Sequence, residues 1–145
     1  MSKEIIIVTI SLGNDGAERI LTELARQWHQ DGHKITVIQT SPNRYGTEYV
    51  LPEGIEQIQI HTTSSNKIIR FLQEIKVLIG ILKKRPCATC LSFLSASSFI
   101  LAISSWFVKN RIVFSERNNP RKVPVGKHQQ MLRDFAFNFA DAIVF

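Results

Sequence analysis

The sequence predicts an α/β fold, a doubly wound and mostly parallel sheet with helices on both faces. Short apolar runs alternate with helix-length segments from end to end, and most of those runs are continuous, as in strands buried on both sides. A tight glycine-containing turn also joins the first run to the clearest helix, the first step of a βαβ unit. A chain of 145 residues, 44% apolar and 21% charged, has the composition of an ordered globular protein and is too short for two full domains. One domain over 1–145 is therefore expected.

The elements follow in order. Ile5–Ser11 reads as a strand, and Leu12-Gly13-Asn14-Asp15-Gly16 as the turn after it. Helix Gly16–Gln30 carries Ala17, Ile20, Leu21, Leu24, Ala25 and Trp28 at helical spacing, one apolar stripe for packing on a sheet. Asp15 can cap its start, with Glu18 three residues on completing a capping box, and Gly32 suits the left-handed turn beyond its end. Lys34–Thr40 is the second strand, 41–54 with Pro42, Gly46, Pro52 and Gly54 is loop, and Ile55–Ile60 alternates apolar with polar residues like an edge strand.

Helix Lys67–Lys84 leads to strand Ala88–Leu94 and helix Ser97–Val108. Ala88–Val108 has no charged residue and is long enough to span a bilayer, but six serines and the Ser95-Ala96-Ser97-Ser98 cluster divide it into a buried strand, a turn and a helix. Strand Arg111–Ser115, helix Gly126–Ala140 and strand Ala142–Phe145 complete the pattern. In that helix Met131, Leu132, Phe135, Ala136 and Phe139 form the packed stripe, with Arg133 and Asp134 pointing elsewhere. The apolar last strand runs to Phe145, so a continuation that completes the unit is expected.

Charge and cysteine content narrow the setting. A net charge of +6 favours anionic partners such as a nucleotide, a phospholipid head group or nucleic acid. No basic stripe interleaved with exposed aromatics is evident, so nucleic acid is disfavoured. Met1-Ser2-Lys3-Glu4 opens no secretory signal, and a reducing, cytoplasmic setting is expected. Cys87 and Cys90 form one Cys-x-x-Cys without a second pair, read as small core residues in preference to a redox pair. The four histidines lack metal-ligand spacing, so no metal is assigned.

Two polar segments could carry chemistry. The Gly13–Gly16 turn presents backbone N–H groups at a helix start, a setting for a phosphate or carboxylate, or it simply turns and caps the chain. The nicotinamide fingerprint and the Walker lysine are both absent, and the second strand ends without an acid for a ribose, so a dehydrogenase is disfavoured. Ser115-Glu116-Arg117-Asn118-Asn119-Pro120 follows the fifth strand on the rim where parallel strands place their carboxyl ends. Glu116 can act as a general base or accept from a sugar hydroxyl, and Arg117 can hold a phosphate; the alternative is a loop ion pair between the two.

Together Asp15-Gly16-Ala17-Glu18-Arg19, Gly32-His33, Ser115-Glu116-Arg117-Asn118-Asn119-Pro120 and Ala140-Asp141-Ala142-Ile143-Val144 resemble, in order and spacing, the amino-terminal domain of family 4 glycosyltransferases. Asp15 stands where that family usually has the first of two glycines, and Arg117 where it often has histidine.

The resemblance implies a Rossmann-like, acceptor-side half of a GT-B enzyme whose carboxyl-terminal donor domain is absent from this chain. It implies a retaining, metal-independent and cofactor-free transfer of sugar from a nucleotide-sugar donor to a saccharide or lipid-linked acceptor, with no turnover by this half alone. Glu116 and Arg117 are the catalytic candidates, and Gly13, Asn14, Gly16, Asn118 and Asn119 the substrate-binding ones. Lys83-Lys84-Arg85 offer either a helix-dipole contact or a grip on an anionic membrane surface. A different class of reading is a non-catalytic Rossmann-like module that binds a nucleotide or a protein partner at the same rim.

Overall fold

The computed structural model describes residues 2–13, 16–42, 49–93, 95–115 and 126–144. In chain order the elements are β1 Glu4–Thr9, α1 Gly16–Gln30, β2 Lys34–Gln39, β3 Glu56–Gln59, α2 Lys67–Lys83, β4 Thr89–Ser92, α3 Ser95–Ser105, β5 Arg111–Ser115, α4 Lys127–Phe137 and β6 Ala142–Val144. All five ladders are parallel, in the order β3-β2-β1-β4-β5-β6. This is a doubly wound α/β sheet of Rossmann type, whose strand order reverses between β1 and β4. As expected, β3 lies at an edge, where its outward-facing residues meet water.

The continuous apolar strands are buried because both faces carry helices. On one face α1 sets Leu21, Leu24, Ala25 and Trp28 against Ile5, Ile7, Ile35, Val37, Leu91 and Val113. On the other, Ile75, Leu78 and Leu82 of α2, Ile100 and Leu101 of α3 and Ala136 of α4 cover Ile6, Val8, Ile38, Cys90, Ile112 and Phe114. An aromatic seam joins α3 to α4, with Phe135 and Phe139 ring centroids 5.0 Å apart and Trp106 5.4 Å from Phe139.

Several sequence expectations shift in detail. Ile20 is 40% exposed and Met131 64%, while Glu18 and Thr22 take places on the buried face of α1. Helical spacing marks a face but not where the sheet beneath it stops, so residues at the stripe's edge reach water. Arg133 is largely covered, and its guanidinium carbon lies 5.9 Å from the centre of the Phe137 ring.

The cysteines also part company. Cys90 is a core residue of β4, whereas Cys87 is exposed in the turn before it. Gly32 adopts φ +87°, the left-handed turn expected after α1. Among the described residues no helix is long and apolar enough to cross a membrane, and Thr89–Ser105 forms the strand and helix expected from the serine break.

Candidate functional site

Because β1, β4 and β5 lie side by side and parallel, Gly13 after β1 and Ser115 at the end of β5 leave the sheet along one rim. Gly13 is buried and Gly16 exposed at the start of α1, with no atom within 4 Å of an added Cβ. Asn14, Glu116, Arg117, Asn118 and Asn119 lie outside the described residues, as does Asp15, the cap expected for α1.

The floor beneath the first turn is polar. Ser11 Oγ donates to Glu18 Oε1 at 3.1 Å, and Thr9 Oγ1 donates to the Ser11 carbonyl at 3.2 Å. Thr22 Oγ1 donates back to the Glu18 carbonyl at 2.9 Å, and all four residues are buried. Beside them Gln39, at the end of β2, is fully buried with both side-chain amide atoms unpartnered. Such a network costs desolvation and ties the end of β1 to the first turn of α1.

The neighbouring strand ends continue this rim. Ser92 Oγ, at the end of β4, lies 2.8 Å from Ser97 Oγ and 3.0 Å from Ser98 Oγ, three buried hydroxyls around the first turn of α3. Ser115 ends β5 with a buried, unpartnered Oγ directly before Glu116.

Across β2 and β3 the rim opens into two cavities. One of about 390 Å³ is lined by Thr40, Ser41, Pro42, His61, Thr62 and Arg70. The other, about 230 Å³, shares Thr40, Ser41 and Arg70 and adds Lys67, Phe71, Glu74, Phe99 and Leu132. Ser41 Oγ donates to the buried Glu74 carboxylate at 3.1 Å. Ligands of open α/β sheets sit outside the carboxyl ends of the strands near the point of reversal; both cavities lie at that end, and the smaller reaches toward the reversal through Ile10 after β1 and Phe99 of α3.

No protein-family model matches the chain, and no curated protein does. Solved structures do match. A glycosyltransferase from Rickettsia africae ESF-5 superimposes with TM-score 0.57 at 16% identity, over 79% of this chain and 30% of that one. MurG of Acinetobacter baumannii superimposes with TM-score 0.63 at 14% identity, over 97% of this chain and 40% of that one. The fold is one that glycosyltransferases use. The chain spans about a third of the first structure's length and two fifths of the second's.

The cavities on the β2 and β3 side escaped the reading of the sequence, although one signal was present. Glu74 falls at i+3 from Phe71 and i−4 from Leu78, on the apolar stripe of α2, where an acid is costly unless partnered. The basic run after α2 also divides: Lys83 and Lys84 are exposed, while Arg85 turns inward to Glu56 and Thr36. Among the described residues no group of three or more His, Cys, Asp or Glu side chains could hold a metal ion.

Proposed function

We propose that this chain is the acceptor-side domain of a retaining GT-B glycosyltransferase. It moves a sugar from a nucleotide-sugar donor to a lipid-linked or cell-surface polysaccharide acceptor, with the donor held mainly by a second, carboxyl-terminal domain. What carries the reading is the rim where a Rossmann-type sheet reverses between β1 and β4, in a domain shaped like part of larger glycosyltransferases. Gly13, Asn14, Gly16, Asn118 and Asn119 bind substrate at this rim. Glu116 orients or deprotonates the acceptor hydroxyl, and Arg117 holds developing negative charge on the leaving phosphate. No metal ion or cofactor takes part. The domain alone is inactive because the crevice cannot close without its second half.

The acceptor's anchorage places the enzyme in the cytoplasm, peripheral on the inner membrane face. Support comes from α2, where Ile68 is 72% and Leu72 59% exposed beside the exposed Lys67 and Lys76, and the helix's one acid, Glu74, is buried. An apolar and basic surface of this kind suits an anionic bilayer.

Sugar transfer from labelled nucleotide sugars to membrane extracts tests the reading. It compares the 145-residue chain alone with the chain joined to a carboxyl-terminal donor domain. Transfer is expected only from the joined protein, falling about 10²-fold or more with Glu116→Gln. Turnover by the chain alone overturns the division of labour, and no transfer by any joined form overturns the enzyme.

A further inference from the structure

We infer that the two adjoining cavities above β2 and β3 form one binding cleft for a glycosyl phosphate, with Arg70 gripping the phosphate and the chamber lined by Phe71, Phe99 and Glu74 taking the sugar. The cavities share Thr40, Ser41 and Arg70 and so adjoin at Arg70, which one molecule spanning both would contact. Their volumes, about 390 and 230 Å³, together suit a small ligand.

The chemistry of the two chambers differs. In the larger, Arg70 stands with Thr40, Thr62 and His61, and no acid lines it among the described residues. Neither Arg70 nor Lys67 has an ion-pair partner among the described residues. A guanidinium sharing a cavity with threonine and histidine residues suits a tetrahedral oxyanion, which offers several acceptors to a planar fork and to short donors at once.

The smaller chamber is walled by aromatic and aliphatic groups. Phe71 and Phe99 stack with centroids 5.7 Å apart, Leu132 lies beside them, and the Glu74 carboxylate is fixed by Ser41 at 3.1 Å. The outer surface of such a ring pair can take the apolar face of a sugar, and a carboxylate can accept from its hydroxyls, which together suit a saccharide. The carboxylate belongs on the sugar side, since it would repel the phosphate. Lys67 at the mouth of this chamber adds positive charge.

The inference rests on the sugar-transfer reading for its biological role, and on the cleft for its chemistry. A sugar joined to phosphate is common to a free sugar phosphate and to a polyprenyl-linked one. Calorimetric titration of the 145-residue chain with glucose 1-phosphate, glucose, inorganic phosphate and polyprenyl phosphoglucose in detergent micelles separates these.

Glucose 1-phosphate is expected to bind at least about tenfold tighter than glucose or phosphate. Arg70→Gln should weaken it about tenfold, and Phe99→Leu should reduce it toward the affinity of phosphate. Stronger binding of the polyprenyl form identifies the lipid-linked source, and equal binding of the two the soluble one. Amide resonances of Thr62 and Phe71 should shift together on titration, a readout that holds if Phe99→Leu does not fold. Unchanged affinity in a folded Arg70→Gln, equal binding of phosphate and glucose 1-phosphate, or shifts confined elsewhere would overturn the cleft. Binding at Arg70 without any sugar transfer by the joined protein would overturn the enzyme reading and leave the cleft standing.

Discussion

Arg85 Nη2 lies 2.8 Å from a Glu56 carboxylate oxygen, fastening the turn after α2 to the edge strand β3. Arg85 Nη1 also donates to Thr36 Oγ1 on β2 at 2.7 Å, so one guanidinium ties three segments at the amino-terminal edge of the sheet. The hydrogen bond from Arg85 holds the Glu56 carboxyl below its ordinary pKa, partly opposed by desolvation. Glu56 is about half exposed, so solvent screening leaves much less than a buried pair would give. Arg85→Met is expected to cost about 1–2 kcal/mol at pH 7, a fall of about 2–6 °C in melting temperature. Because the folded pKa is depressed, the pair's contribution is present above the unfolded carboxyl value and lost as pH falls through the folded one. Thermal melts should therefore show the difference between wild type and Arg85→Met narrowing in acid.

Removing the donor from Ser11 leaves the buried Glu18 carboxylate one hydrogen bond short. Ser11→Ala should destabilise the domain by about 1–3 kcal/mol. Amide exchange should speed up most in the first turns of α1, where the network converges. Uniform acceleration across the sheet would show that the contact serves the core in general.

Gly54 and His29 meet closely, for a Cβ added at Gly54 would lie 2.7 Å from His29 Nε2, and the glycine holds φ +93°. Gly32 has a similar φ of +87° but no atom within 4 Å of that position. Gly32→Ala should thus cost about 1–2 kcal/mol of backbone strain, and Gly54→Ala the same strain plus displacement of the imidazole. In a His29→Ala background the two substitutions should become equal within about 0.5 kcal/mol, as denaturant titration of the four variants would show.

The two thiols should react very differently. Burial pushes the Cys90 thiol up to about 12, while Cys87 is exposed. A disulfide reagent at pH 8 should modify one thiol promptly in the native protein and the second only on unfolding. Prompt reaction at both would contradict the packing of β4.

Much of the fold was legible because it is written in local signals. The boundaries of α1 and β5 coincide with those read from the sequence, Gly16–Gln30 and Arg111–Ser115. Strands read from hydropathy ran long at β1 and β4, since Ile10, Ser11 and Phe93 are apolar or buried but no longer on the ladder. The start of α3 moved from Ser97 to Ser95, because serines that look like a break are good first-turn residues. The common rim of β1 and β5 followed from parallel topology. The inward turn of Arg85 and the cleft around Arg70 did not, for both depend on contacts between residues far apart in sequence. Nothing local in Lys83-Lys84-Arg85 distinguishes the cation that pairs from the two that face solvent.

An all-parallel sheet also constrains how the chain reaches it. No two adjacent strands are joined by a hairpin, so zipping from a tight loop cannot seed the sheet. The unit β1–α1–β2 can close first, over a short span. Ile5 must then find Thr89 across the whole of α2 and β3 before the two halves of the sheet join, a late and entropically costly encounter. Until it happens, the apolar edge of β1 stands open to other chains, and refolding yield should fall as protein concentration rises.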